Sequence, residues 1–140
     1  NESRFTIDLT GSVEEEMLPE IEVYDGIILL IDDVSTVDFG LASLGQPVTK
    51  TFAVTNVGTG DLLLDNLAVI GNGFSIASDF VTTTVSSGEF TTFTVQLDAA
   101  VVGDYAGVVT FNNNDETENP FRFIIEGVVD VRVYLPLIVR

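Results

Sequence analysis

Between Lys50 and Leu64 the chain reads Lys-Thr-Phe-Ala-Val-Thr-Asn-Val-Gly-Thr-Gly-Asp-Leu-Leu-Leu, and this stretch leaves few options for the fold. Phe52 and Val54 alternate with Thr51, Ala53 and Thr55, the period of two that marks a strand with one buried face. Asn56 follows in phase with the apolar pair, then Val57 to Asp61 break the chain, and Leu62 to Leu64 begin again. An Asn at a strand end can bond the turn backbone, and Gly58 and Gly60 can take φ > 0 where other residues cannot. The pattern predicts a strand, a constrained corner and a second strand.

The rest of the chain repeats this grammar. Ile21 and Val23 alternate with Glu20 and Glu22; Asp25-Gly26 is a turn signal, and Ile27 to Ile31 form an apolar run suited to a buried strand. Thr36 to Gly40 lead through Gly45 and Pro47 into the central strand. Asn66 to Ile70 predict another strand, closed by Gly71-Asn72-Gly73, the Asn-Gly step of tight hairpins. The Phe80 to Val85 segment extends the β reading; Phe93, Val95 and Leu97 share a face, and Tyr105, Val109 and Phe111 share one with Gly107. Asn112 to Pro120 read as an exposed loop before Phe121 to Val129. No apolar period of 3.6 outlasts a turn. Short strands at intervals of roughly 8–12 residues predict an all-β, antiparallel two-sheet sandwich of seven or more strands.

With 140 residues and 46% apolar content, the chain can bury a real core as one domain. The longest apolar run, Ile27 to Ile31, is far short of the ~18 residues of a membrane helix, so no membrane insertion is expected. Twenty-two Asp and Glu against 5 Lys and Arg give a formal charge of −17, which disfavours nucleic acid and anionic membranes as partners. The absence of Cys and His removes thiol nucleophiles, imidazole bases and the usual zinc sites.

The N-terminus resembles the end of the domain. Phe5, Ile7, Leu9, Gly11 and Val13 match Phe121, Phe123, Ile125, Gly127 and Val129 at one offset (127 − 11 = 116). This predicts that residues 1–14 are the last strand of a preceding repeat plus an acidic linker, with the sandwich over 15–129 and a C-terminal extension over 130–140. A severed apolar strand seeks a sheet edge, so strand exchange into a homo-oligomer is a further expectation. The closing Val131-Arg-Val-Tyr-Leu-Pro-Leu-Ile-Val-Arg140 reads as an edge strand interrupted by Pro136 or as a sorting tail, and its apolar side chains are expected to pack on the sandwich or on a neighbour.

Carboxylates are the only catalytic groups in stock. Asp32 with Asp33, and Asp115 with Glu116 and Glu118, could serve a two-acid glycosidase only across a cleft, so turn and solvation roles are the expectation and the chain is read as no enzyme. The same five residues are the candidate calcium ligands, since hard cations want clustered oxygens, with Glu14 to Glu16, Glu20 and Glu22 possible neighbours. No Asp-x-Asp-x-Asp-Gly loop supports that site, and no other cofactor is expected. Asn1-Glu2-Ser3 fits a glycosylation acceptor, a common pattern of little weight. Tyr24, Tyr105 and Tyr134 would suit a sugar-stacking platform, although Tyr105 is in phase with core positions.

Several short motifs then fall in one order: Thr36-Val-Asp-Phe39-Gly40, Thr51 to Gly58 with Leu62, Gly73-Phe74, Phe93-Thr-Val95, Gly103-Asp-Tyr105-Ala-Gly107, Asn114-Asp115, and Pro120 to Gly127. Over residues 19–129 the chain resembles the immunoglobulin-like domains named for abnormal spindle protein and hydin (ASH), in particular the bacterial choice-of-anchor D domain. The stretch between Ile21 and Thr36 is shorter than usual for that family. The resemblance implies an Ig-like sandwich without enzymatic activity, in tandem on secreted or cell-surface bacterial proteins, with neighbouring Ig-like repeats or other proteins as partners. Its structural positions here are Phe39, Gly40, Phe52, Val54, Asn56, Gly58, Gly103, Tyr105, Gly107 and Gly127. Two other roles follow the same scaffold: a carbohydrate-binding accessory domain of an exported hydrolase, and an intracellular scaffold domain of ciliary type.

Overall fold

A computed structural model describes residues 15–131. The strand expected over residues 1–13, the acceptor pattern at Asn1 and the tail over 132–140 lie outside the described residues. Ten strands follow in order: β1 Ile21–Asp25, β2 Ile28–Leu30, β3 Thr36–Ser43, β4 Val48–Asn56, β5 Leu62–Ile70, β6 Phe74–Ser78, β7 Thr84–Val85, β8 Phe90–Leu97, β9 Gly103–Asn113 and β10 Phe121–Asp130. They form two five-stranded sheets, β2-β1-β4-β8-β6 and β3-β10-β9-β5-β7. All pairings are antiparallel except β3 with β10, which run parallel. The all-β sandwich expected from alternation is what the chain builds, with this one parallel pair added.

Alternation explains the core. In β10 every odd position from Phe121 to Val129 is buried and every even one exposed. β4 turns Phe52, Val54 and Asn56 inward, opposite Phe93 and its neighbours on β8. Phe52 stacks on Phe93 at 5.3 Å between ring centroids and tilts against Phe123 at 5.0 Å. Phe80 meets Phe93 and Phe111 edge-on. Such ring pairs contribute about 0.5–1.5 kcal/mol each beyond the area they bury. Phe39, packed edge-on against Phe74 at 5.2 Å, closes the far side of this aromatic layer.

The outermost strands are short or bent. β2 has three residues, β7 two and β6 five, and β3 is bulged at Gly40, whose φ of 81° leaves its N–H on Asp38 Oδ1 at 2.8 Å. The β3–β10 register shifts at the same place, between Glu126 and Val128.

Four local expectations are corrected. Ile27 to Ile31 do not form a buried strand: only Leu30 is buried and Ile27 is 96% exposed, because β2 is an edge strand paired with β1 alone. The strands expected at Leu62 and at Asn66 are one strand, β5, bulged at Asn66 with φ 57°. The Asn72-Gly73 step makes no hairpin, since β5 pairs with β9 and β6 with β8, so this corner carries the chain between sheets. It can pass only because Gly73 lies under the Tyr105 ring, whose Cδ1 would meet a Cβ at 2.3 Å. Finally, the loop after Asn112 is not wholly exposed: Asn113 and Asp115 are buried among its own hydrogen bonds.

Candidate functional site

The corner after β4 has a purpose that alternation alone did not disclose: it seats the chain entering the sandwich. Asn56 is fully buried, and both ends of its amide are used. Its Nδ2 donates to Gly60 O at 2.7 Å and Val85 O at 2.9 Å; its Oδ1 accepts from Gly58 N at 3.0 Å and Glu20 N at 3.3 Å. Gly58 and Gly60 do not adopt the positive φ expected of them; they matter here for closeness. A Cβ on Gly58 would sit 2.3 Å from Leu18 O and 2.5 Å from Glu20 N, and one on Gly60 2.6 Å from Met17 O.

The incoming backbone is held through this contact. Leu18 N donates to Thr59 Oγ1 at 3.2 Å, and Leu18 O accepts from Thr59 N at 2.8 Å and Gly60 N at 3.0 Å. Glu20 O accepts from Val57 N at 2.8 Å. From the opposite side, Ile21 N donates to Asp115 Oδ2 at 3.1 Å.

Asp115 is positioned by its own loop. Its N–H donates to Asn113 Oδ1 at 2.8 Å, and its Oδ1 accepts from Thr117 N at 3.1 Å and Thr117 Oγ1 at 2.8 Å. Asn113 Nδ2 donates to Glu118 O, and Asn114 bridges to Leu63 N and Asp61 O. A loop of acids and amides thus behaves as a small polar core, each buried group partnered.

Beside the seat the acids converge. Glu20, Asp115 and Glu118 each bring one carboxylate oxygen within 4.8 Å of the others. A hollow of about 360 Å³ adjoins them, lined by Glu20, Glu22, Leu29, Ile31, Asp32 and Glu118 among others. Burial, then repulsion from Asp115, Glu20, Asp32 and Glu22, raises the Glu118 carboxyl above its ordinary value. Burial also raises Asp32, opposed by the Arg122 N–H it accepts at 2.9 Å and helped by Asp33. Asp115 already spends both of its carboxylate oxygens on protein donors.

Of the five acids singled out from sequence, Asp115 and Glu118 therefore meet, joined by Glu20, and Asp32 lines the adjoining hollow. Asp33 turns away to pair with Arg122 Nε at 3.1 Å, and Glu116 is exposed outside the group. The hollow itself was not expected of acids in surface loops; it arises because the entering chain and β1 bring Glu20 and Glu22 alongside the loop before β10. Among the structural positions, Phe39, Phe52 and Val54 are core, and Gly40 makes the β3 bulge. Gly103 opens β9, and Tyr105 packs on the core with its hydroxyl donating to Val101 O at 2.6 Å. Gly107 and Gly127 face Ile70 O and Leu97, each 2.8 Å from where a Cβ would be. Tyr24, bonded to Glu22 at 2.6 Å with its pKa raised by that bond, lies in the other sheet from Tyr105, so the two build no common platform.

The sequence pattern of the family described as HYDIN/CFA65/VesB-like, Ig-like domain matches residues 30–127. No curated protein matches the chain. Among solved structures, a protein of unknown function from Porphyromonas gingivalis is similar with a TM-score of 0.66 and 16% identity, over 87% of this chain and 52% of that one. The ASH/PapD-like domain 7 of human CEP192 is similar at 0.59 and 13%, over 91% and 99%. The secreted serine protease VesC from Vibrio cholerae is similar at 0.52 and 16%, over 66% and 21%. The chain spans about half the length of the Porphyromonas protein.

Proposed function

The chain belongs to the HYDIN/CFA65/VesB-like family of Ig-like domains, and on that premise we propose that it is a non-catalytic module of a secreted or cell-surface bacterial protein, a spacer and protein-interaction unit among neighbouring repeats. The observation that carries this reading is the seat of the incoming chain. From Leu18 to Ile21 the backbone is tied to the Asn56–Gly60 corner on one side and to Asp115 on the other. A joint held by that many bonds transmits direction, whereas a free Gly/Ser linker would lose it within a few residues. Buried Asp115 serves this purpose as the acceptor for the Ile21 and Thr117 N–H groups. That a secreted protease carries a domain of similar fold supports an exported setting.

Small-angle scattering on a stretch of the parent protein containing this module and the one before it tests the reading. A single inter-module angle is expected, and Asn56→Ala should broaden it. A wide distribution of angles in the unaltered protein would defeat the spacer role, and saturable binding on a glycan array would favour the carbohydrate-binding alternative.

A further inference from the structure

The crossing from β5 to β6 holds the chain's single Asn-Gly step. Asn72 is exposed and stands between two glycines of positive φ, Gly71 at 128° and Gly73 at 89°. Both glycines are held closely. A Cβ on Gly71 would lie 2.8 Å from Ala106 O, and Gly73 sits under the Tyr105 ring with its carbonyl accepting from Asp98 N at 2.8 Å. The Asn72 amide and the Gly73 N–H, in contrast, make no hydrogen bond among the described residues. A backbone nitrogen that follows an asparagine can attack the side-chain carbonyl carbon, and glycine brings no Cβ to obstruct the approach.

The other described asparagines are guarded. The nitrogen that would attack Asn56 is Val57 N, which donates to Glu20 O at 2.8 Å. For Asn112 it is Asn113 N, donating to Asn119 Oδ1 at 3.0 Å, and for Asn114 it is Asp115 N, donating to Asn113 Oδ1 at 2.8 Å. Asn113 is buried with both ends of its own amide engaged. Asn119 precedes Pro120, which has no N–H. Asn66 is exposed, but Leu67 carries a branched side chain beside the attacking nitrogen. Among the described residues, Asn72 alone joins an exposed amide to an unbonded, unhindered nucleophile.

We propose that Asn72 is the site at which this domain deamidates and isomerises, and that the product loosens the β5–β6 crossing. A base takes the Gly73 N–H proton, Gly73 N bonds to Asn72 Cγ, and the Cγ–Nδ2 bond breaks. Nδ2 takes up a proton and leaves as ammonia, and a cyclic imide remains. Water then opens the imide: attack at Cγ gives aspartate, and attack at the main-chain carbonyl carbon gives isoaspartate, with nothing oxidised or reduced. Isoaspartate lengthens the main chain by one methylene between two glycines fixed against Ala106 and Tyr105. The misfit falls on Gly73 O, the acceptor for Asp98 N, and on Phe74, where the edge strand β6 begins.

The test keeps the full chain in mildly alkaline buffer and samples it by peptide mapping with mass spectrometry, using a protein isoaspartyl methyltransferase to mark isoaspartate. Asn72 should convert first, severalfold faster than any other asparagine, with isoaspartate as the main product. Asn72→Gln, which must close a larger ring, should abolish the mass gain in that peptide. The converted form is one negative charge richer and separates by anion exchange. Its Asp98 amide should exchange severalfold faster than in the parent while the amides of β10 are unchanged. Another asparagine converting first, or an Asn72 still intact when a free peptide of the same sequence has fully converted, would overturn the site. Asp98 exchange equal to the parent's would overturn the loosening.

Discussion

Replacing Asn56 by Ala removes four hydrogen bonds from a site with no exposed surface. Val85 O is the most buried partner and keeps its full desolvation cost, about 1–3 kcal/mol. The groups on Gly58, Gly60 and Glu20 are half-buried, so water recovers part of the roughly 0.5–1.5 kcal/mol that each bond contributes. The sum is a loss of about 3 kcal/mol, which lowers the melting temperature of a domain this size by roughly 10 °C. Urea unfolding followed by far-ultraviolet circular dichroism gives the energy, and amide exchange by NMR gives its location. The amides of Glu20 and Gly58 should lose protection while those of β10 fall only with global stability. A loss below about 1 kcal/mol, with Glu20 and Gly58 still protected, would refute the view that one buried amide holds corner and incoming chain together.

Other outcomes follow from the same geometry. Gly58→Ala meets backbone, not a flexible side chain, so it should cost about 1–3 kcal/mol and release the Leu18 and Glu20 amides; an unchanged melting curve would mean that the incoming chain is not seated there. Glu118 has a folded pKa above its unfolded one, so its share of stability is present at acid pH and lost as pH rises through the folded value. Glu118→Gln should accordingly be more stable than the parent at pH 7, by less than about 1 kcal/mol because the group is partly screened, with no advantage below pH ~4. An advantage that grows on acidification would reverse that sign. Phe123→Ala empties a site 1% exposed between Phe52 and Phe121 and should cost about 3–5 kcal/mol in the same urea titration.

Side-chain alternation made the sandwich legible, because a period of two assigns each residue to a face before any partner is known. Phe52, Val54 and Asn56, and likewise Phe93, Val95 and Leu97, point where that period put them. Pairing was not legible, since it depends on residues far apart in sequence. The Asn72-Gly73 step has the local chemistry of a hairpin, yet its flanking strands found partners in different sheets. Ile27 to Ile31 look like core by composition but were left at an edge that nothing in the described residues covers. At the candidate site, Asn56 and Gly58 stood out as a constrained corner, but what they constrain is a segment 36 residues upstream of Asn56. The burial of Asp115 had no local signal at all: a polar loop reads as solvated until its side chains are seen to satisfy its own backbone.

The short and bulged rims of the two sheets bear on how such molecules behave in company. A ladder can be lengthened by a stranger only where a straight run of free groups is offered. β2 and β7 present three and two residues, and Gly40 kinks the eight of β3. Lateral growth into fibres therefore meets a poor template at each of these margins, and mutual repulsion between copies at −17 works in the same direction.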